Sequence, residues 1–237
     1  MVSARIVRPL LCLCLAGALV SGIVAQGSGT TYLWQGFYSL RDGQLIGDGN
    51  WLCLWLGYGT GGVDSGELWL MPKASSTPSE THSALVRSQF PLGPDWDISV
   101  AMTTDRQLRT KKVRNRQVPA PNPWEVAWLV ADMVEDGSAG LYFILKTNGV
   151  ELGVYRATGE QVFLFTAPSP QNRTGKSYTC RLVKAGRQIT AIVNRQTVGT
   201  ASLDALGDWP LGDRIGLYTE DAAVRFGPVS VVTSPAY

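Results

Sequence analysis

Short runs that alternate apolar and polar residues constrain the fold of this chain more than any other feature. In the run 188–193, Ile189, Ala191 and Val193 share one face of an extended strand, and Thr190 and Ile192 lie on the other. Most runs end at Gly, Pro, Asn or Asp, and the three-to-four-residue repeat of a helix is nearly absent. The pattern predicts an all-β protein, a two-sheet antiparallel jelly-roll sandwich.

The runs predict thirteen strands and a single helical turn, at Ser202–Leu206. The predicted strands are Tyr32–Ser39, Trp51–Gly57, Glu67–Pro72, His82–Phe90, Trp96–Thr104, Trp124–Met133, Leu141–Thr147, Gly149–Arg156, Gln161–Thr166, Ser177–Lys184, Gln188–Val193, Arg214–Thr219 and Ala223–Val232. The glycine-rich run 57–62 predicts a mobile loop at the rim of a groove, because it lacks the Lys-Ser/Thr of a phosphate loop.

Residues 1–25 have the pattern of a secretion signal. Arg5 and Arg8 form a basic region, Pro9–Val20 an apolar core, and a cleavage site precedes Gln26. Residues 26–237 are then predicted to form one jelly-roll domain that is secreted and extracellular. The alternative is an uncleaved anchor, although the apolar run is short for a membrane span.

Charge excludes two classes of partner. The formal charge of the chain is +2, and removal of the two arginines in the predicted signal leaves a domain near neutrality. A neutral domain has no general field that attracts nucleic acid or anionic lipid, so we expect neither nucleic-acid binding nor membrane insertion. One local exception is basic, and it is either a solvated loop or a rim for an acidic polysaccharide: Arg106, Arg109, Lys111, Lys112, Arg114 and Arg116.

The cysteines and one sequon predict modifications typical of an exported protein. Cys12 and Cys14 lie in the predicted signal, which leaves Cys53 and Cys180 as a candidate disulfide. Because both lie in apolar strand-like runs, two buried free thiols are the alternative. The sequon that begins at Asn172 predicts a glycan if the host is eukaryotic.

Strand parity selects a set of polar residues for a groove. Glu125, Tyr142, Lys146 and Glu151 fall on strands predicted to be neighbours. With Glu80, His82 and Arg109, they are predicted to line one groove. Trp124 is a further candidate for contact with a sugar, although its parity is opposite to that of Glu125 and favours the core for Trp124 and Trp128.

This set permits two reactions. Glu125 and Glu151 are candidates for the acid and the base or nucleophile of glycoside hydrolysis, which needs carboxylates about 5–10 Å apart. Alternatively, Arg109 neutralises a uronate carboxylate while Tyr142 or His82 moves the proton in a β-elimination. Two structural alternatives stay open, namely an ion pair between Glu125 and Arg106 or Arg109, and a purely structural His82.

No cofactor is certain from the sequence. A single histidine argues against zinc. Calcium is possible, with weak candidate ligands in acidic loops: Asp42, Asp48, Glu220 and Asp221.

Four segments carry a resemblance to a known superfamily: Glu80–Val86, Pro121–Trp128, Asn148–Gly153 and Gly216–Asp221. They resemble the concanavalin A-like and laminin G-like jelly rolls, and within these an exported glycoside-hydrolase-like group. The resemblance implies the fold and an association with sugars. The chain departs from that group at Val150 and around Ser138–Gly140, where aromatic residues or a histidine are expected.

The leading functional prediction is recognition of an extracellular polysaccharide in a groove of one sheet. The alternatives are a glycoside hydrolase or polysaccharide lyase that uses the same groove, and a structural or adhesive envelope protein.

Overall fold

The computed structural model describes residues 29–77, 79–207 and 209–235. The predicted signal, residues 1–25, lies outside the described residues. The strands are β1 Thr30–Tyr32, β2 Tyr38–Ser39, β3 Leu45–Ile46, β4 Trp51–Trp55, β5 Thr60–Asp64, β6 Glu67–Met71, β7 Ser83–Ser88, β8 Trp96–Gln107, β9 Thr110–Val113, β10 Arg116–Pro119, β11 Ala127–Met133, β12 Ala139–Lys146, β13 Gly149–Arg156, β14 Gln161–Ala167, β15 Ser177–Ala185, β16 Gln188–Val193, β17 Gln196–Ser202, β18 Arg214–Glu220 and β19 Ala222–Thr233. A short 3-10 helix spans Leu203–Leu206, at the predicted helical turn.

Two antiparallel sheets form a sandwich. The first sheet has the order β17-β16-β15-β8-β19-β6-β5-β2, with β1 also paired to β19, and the second has the order β14-β13-β12-β11-β18-β7-β4-β3. The β9–β10 hairpin pairs only with itself. This architecture confirms the predicted all-β jelly-roll sandwich. Within the described ranges, the structure contains no helix with the length and apolar character of a membrane span.

The main core lies between the sheets and is built from alternate residues of each strand. Ile98 and Phe226 enter it from the first sheet, and Leu129, Phe143 and Leu152 enter it from the second, all fully buried. The second sheet also buries apolar side chains on its opposite face, which we call the outer face. The outer face of a two-layer sandwich is ordinarily solvated and polar. An apolar cluster there therefore marks the outer face of the second sheet as a candidate binding site.

Several strands differ from their predicted bounds. The run Tyr32–Ser39 forms two short strands separated by a loop, and part of the glycine-rich run belongs to β5 rather than to a loop. β11 begins at Ala127, because the chain ahead of it turns through Val126, whose N–H donates to the Trp124 carbonyl. Glu125 therefore lies in a turn, and its strand parity does not apply.

The basic cluster is also more ordered than a loop. Much of it forms the β9–β10 hairpin, whose two-residue turn is made by Arg114 and Asn115. Both have positive φ, 50° and 69°, as a type I′ turn requires. Such turns match the twist of the flanking strands, so the segment closes a hairpin even though neither turn residue is Gly.

The predicted disulfide between Cys53 and Cys180 is wrong. Cys53 and Cys180 are buried free thiols in the structure, which was the alternative. β14 and β17 are the first strands of their sheets and contact each other, so the two strand orders run side by side. Cys180 lies on β15, the third strand of one order, and Cys53 lies on β4, the seventh strand of the other. The two cysteines are therefore about four strand spacings apart, roughly 19 Å. A disulfide needs a Cα separation of roughly 4.4–6.8 Å. Burial raises the pKa of both thiols to about 12.

Candidate functional site on the outer face of the second sheet

A line of aromatic rings crosses four neighbouring strands on the outer face. Tyr218 on β18 lies opposite Trp128 on β11, with ring centroids 5.3 Å apart. Trp128 is 5.1 Å from Tyr142 on β12, which is 6.3 Å from Tyr155 on β13. The alternation of β-strands causes this arrangement, since each ring occupies an outward position of its strand.

A small pocket of about 110 Å³ opens over Trp128, Tyr155 and Tyr218 of this line. It is lined by Trp55, Leu85, Trp128, Val130, Gly137, Tyr155, Gln161, Tyr218 and Glu220. Apolar and aromatic walls with a few polar groups are the usual composition of a small-ligand site. We call this the aromatic pocket.

Glu220 is the only carboxylate among the residues that line the aromatic pocket. The Tyr218 hydroxyl donates a 2.6 Å hydrogen bond to its Oε1. Burial raises the pKa of Glu220, and the nearby carboxylates of Asp221 and Glu125 raise it further, against the opposing effects of Tyr218 and Arg109. Glu220 therefore keeps its proton to a higher pH than an exposed glutamate, and in that state it is a hydrogen-bond donor.

A second, more open pocket of about 500 Å³ adjoins the first and shares Trp55 with it. Its lining consists of Arg41, Asp42, Trp55, Leu56, Gly57, Tyr58, Gly59, Thr81, His82 and Ser83. Tyr58 is 89 % exposed and meets the ring of His82 edge-on at 5.7 Å. We call the two pockets together the outer-face groove.

The backbone of the second pocket is closely packed around Gly57. A Cβ atom at Gly57, whose φ is +59°, would lie 2.3 Å from the Ser83 carbonyl oxygen. Trp55 is fixed on the same side, because its Nε1 donates to the Ser83 hydroxyl at 3.1 Å. The glycine-rich run thus brings the Tyr58 loop against β7, beside the groove.

Two of the predicted groove residues are instead buried in an ionic cluster. Glu125 is fully buried and accepts hydrogen bonds from the Arg109 guanidinium and from the Asn122 N–H, the latter at 3.0 Å. Arg109 also donates to Asp221 Oδ2 at 2.6 Å, and Asp221 is fully buried. The ion pair between Glu125 and Arg109, one of the two structural alternatives, is the observed arrangement, and neither residue lines either pocket.

The same cluster reaches the groove through Ser75 and His82. The Ser75 hydroxyl donates to Asp221 Oδ1 at 2.5 Å and lies 3.3 Å from His82 Nδ1. His82 Nε2 is 3.2 Å from Glu80 Oε1. His82 is mostly buried and lines the second pocket, whereas Glu80 does not. We call the residues Ser75, Glu80, His82, Arg109, Glu125 and Asp221 the buried network.

A separate cluster holds the other predicted residues. The Tyr142 hydroxyl donates to Glu151 Oε1 at 2.9 Å, and Lys146 Nζ donates to Glu151 Oε2 at 2.5 Å. Tyr142 is fully buried beneath the outer face, and Gly153 makes room for its ring, because a Cβ there would lie 2.6 Å from the Tyr142 hydroxyl. The predicted grouping of these three residues is present, but none of them lines the groove.

Trp124, in the turn before β11, and Trp128, on β11, differ from their predicted places. Trp128 is buried on the outer face rather than in the main core, and Trp124 is 43 % exposed on the turn. Sequence reasoning missed Trp55, Tyr155, Tyr218 and Glu220 as groove residues. Strand parity could have identified two of them. Leu217 of β18 points into the main core, so Tyr218 and Glu220 on the same strand point to the outer face.

The predicted glycan and metal sites have little support in the geometry. Asn172 is 9 % exposed, and its Nδ2, the atom that would carry a glycan, donates to the Thr104 hydroxyl at 2.8 Å. Among residues 29–77, 79–207 and 209–235, no group of three or more His, Cys, Asp or Glu side chains is placed to hold a metal ion. Asp221, a weak candidate for calcium, is engaged by Arg109 and Ser75.

The fold is shared with solved structures, although no protein-family model and no curated protein sequence matches the chain. The carbohydrate-binding module CBM66 from Bacillus subtilis has a TM-score of 0.57 at 13% identity, over 78% of this chain and 96% of that chain. The chain has the concanavalin A-like jelly-roll fold. The Crh5 transglycosylase has a TM-score of 0.51 at 13% identity, over 88% of each chain. The catalytic domain of an endo-1,3-beta-glucanase (laminarinase) from Thermotoga petrophila RKU-1 has a TM-score of 0.51 at 14% identity, over 85% of this chain and 98% of that chain. These structures confirm the resemblance at the level of the fold.

Proposed function

We propose that this protein is an exported domain that binds an extracellular polysaccharide in the outer-face groove. The observation that carries the proposal is the aromatic pocket, with Trp55, Trp128, Tyr155 and Tyr218 around one carboxyl group and one amide. A pyranose ring offers an apolar C–H face and a rim of hydroxyls. Aromatic walls match the face, while Glu220 and Gln161 supply donors and acceptors for the rim.

Two further features support a polymer rather than a small molecule. The second pocket continues the first at Trp55 and is more open, so the groove offers room for several linked units. The fold neighbours named above include a carbohydrate-binding module and a transglycosylase, which are functions of those proteins. Export rests on the secretion signal predicted for residues 1–25, and fusion of that segment to a reporter enzyme active only outside the cytoplasm tests it.

Binding is tested with a pair of matched tryptophan variants. Trp55→Ala removes the ring shared by both pockets, and we expect it to weaken binding to the preferred glycan of a glycan array about tenfold or more, as for a central aromatic contact. Trp124→Ala removes a half-exposed tryptophan that lines neither pocket and should bind as the wild type. Loss of binding in Trp124→Ala alone would place the site elsewhere, and a wild type that binds no glycan would favour the structural or adhesive alternative.

Catalysis on the same glycan is the second candidate, and Glu220 is the observation that favours it. A carboxyl group that keeps its proton inside an aromatic pocket is suited to act as a general acid. A hydrolase of the two-carboxylate type needs a second free carboxylate, and Glu125 is held by Arg109. Release of reducing or unsaturated ends by the wild type, and its loss in Glu220→Gln with binding retained, would establish this candidate.

A further inference from the structure

The β9–β10 hairpin presents a concentration of positive charge that the fold does not neutralise. Its cations are Lys111, Lys112, Arg114 and Arg116, and all four are exposed. None of them forms an ion pair with a carboxylate of the described residues. On the sheets, by contrast, Arg181 pairs with Asp97, and Arg225 pairs with Glu67 and Asp105. We call this element the basic hairpin.

The basic hairpin is held in place at its base. The Thr110 N–H donates to the Ser75 carbonyl, and the Ala120 N–H donates to the Arg109 carbonyl, both at 3.0 Å. Ser75 and Arg109 belong to the buried network, so these two hydrogen bonds tie the base of the hairpin to that network. Lys111 pairs across the strands with Val118, and Arg116 pairs with Val113, so these two cations share one face. A backbone that is held in place before binding loses less entropy when its side chains bind an anion.

The basic hairpin is also continuous with the outer-face groove. Arg109, which directly precedes β9, donates to the Thr81 hydroxyl at 3.2 Å, and Thr81 lines the second pocket. The charged residues on the wall of that pocket are Arg41 and Asp42, so its own lining adds no clear excess of either sign. The base of the basic hairpin therefore adjoins the more open pocket of the groove.

We infer that the basic hairpin recognises the carboxylate or sulfate groups of an acidic polysaccharide whose chain occupies the outer-face groove. The inference rests on the proposed function and names its ligand class. A polysaccharide fits better than a nucleic acid, because the predicted mature domain is near neutral and the cations adjoin an aromatic groove rather than forming a broad basic face.

Matched polymers that differ only in charge test the inference. Binding is measured at low and high salt to polygalacturonate and its methyl ester, and to heparin and its desulfated form. For at least one pair, we expect the wild type to bind the anionic form about tenfold more tightly at low salt, and to lose that preference at high salt. The hairpin variant Lys111→Gln/Lys112→Gln/Arg116→Gln should bind both forms alike. It leaves the turn residue Arg114 in place to keep the fold.

Three controls separate the possible outcomes. The variant Arg173→Gln/Lys176→Gln/Arg195→Gln removes three exposed cations outside the hairpin and should keep the preference, which excludes an effect of net charge. Trp55→Ala should weaken binding of both forms, since it acts on the groove. A single-stranded DNA oligonucleotide should compete poorly with the anionic polymer.

Each failure has a distinct meaning. If the wild type binds none of these polymers but binds a glycan of the array, the inference is overturned while the proposed function stands; if it binds no glycan in either assay, the proposed function is wrong as well. If it binds the charged and uncharged forms equally, or if the hairpin variant keeps the wild-type preference and salt dependence, the inference is overturned while groove binding stands. If DNA competes fully at equal charge, the hairpin binds polyanions without regard to sugar, which also overturns the inference.

Discussion

The buried network and the aromatic pocket both place carboxyl groups among apolar residues, but they neutralise charge in opposite ways. In the buried network, Glu125 and Asp221 share the Arg109 guanidinium and several further donors. In the aromatic pocket, Glu220 has the Tyr218 hydroxyl as its side-chain donor and no guanidinium of the described residues in direct contact. Burial raises the pKa of both Glu125 and Glu220, so the two carboxyl groups differ in their partners rather than in the direction of the pKa shift. A fully partnered charge contributes to the fold, whereas a carboxyl with one neutral partner keeps hydrogen-bonding capacity for a ligand.

The largest effect on stability is expected when the buried network is broken. Arg109→Met leaves Glu125 and Asp221 buried without their cation, and we expect a loss of about 3–5 kcal/mol in the free energy of unfolding, measured by urea denaturation at pH 7. Arg106→Met, at an exposed neighbour, should change it by less than about 0.5 kcal/mol. Equal effects of the two substitutions would show that the network does not stabilise the fold.

The next largest effect is expected at Tyr142. It distinguishes a residue that supports the outer face from one that contacts the ligand. Tyr142→Phe removes one of the two side-chain donors to Glu151, and we expect a loss of about 1.5–3 kcal/mol in the free energy of unfolding. Glycan affinity should stay near that of the wild type, because Tyr142 is fully buried. A folded Tyr142→Phe protein that no longer binds glycan would instead support the direct role that the sequence predicted for this residue.

A smaller effect tests whether the groove extends into the second pocket. Tyr58→Ala removes an exposed ring at its wall, and we expect glycan binding to weaken by about 1 kcal/mol, measured by calorimetry. The matched variant Tyr58→Phe keeps the ring and should bind as the wild type. Identical affinities for all three proteins would confine the site to the aromatic pocket.

The smallest effect is the pH dependence due to Glu220. Because its pKa is raised in the folded protein above the ordinary value of 4.5, the folded state holds the proton more tightly than the unfolded state. The stability contributed by protonated Glu220 is present below pH 4.5 and is lost as the pH rises through the folded pKa. Glu220→Gln should therefore gain stability relative to the wild type over that rise, measured as free energies of unfolding between pH 4 and 8. Parallel curves for the two proteins would refute this assignment.

The sequence predicted part of the site as well as the fold class. It grouped Tyr142, Lys146 and Glu151 correctly, because β12 and β13 are joined by a tight turn and parity alone determines which side chains meet. It misplaced Glu125, because one turn before β11 cancels the parity on which that prediction depended. Alternation therefore predicts which side chains share a face within a hairpin, but it does not predict this across an irregular turn.

The groove itself joins parts of the chain that are distant in sequence. Trp55, Tyr155 and Tyr218 come from β4, β13 and β18, which are far apart in sequence and meet only through the strand order of the second sheet. The same order separates Cys53 from Cys180. No local pattern encodes which strands become neighbours, so neither result was available from the sequence.

Alternation and turn residues by themselves indicated an all-β antiparallel fold, since strands with one apolar face must bury that face against another layer. The basic cluster was also visible in the sequence, but the hairpin that carries most of it was not predicted. Only the tertiary structure decided which charges are neutralised and which face a pocket, because the electrostatic state of a carboxyl group depends on burial and partners contributed by distant strands. Glu125 and Glu220 show this difference within a single protein.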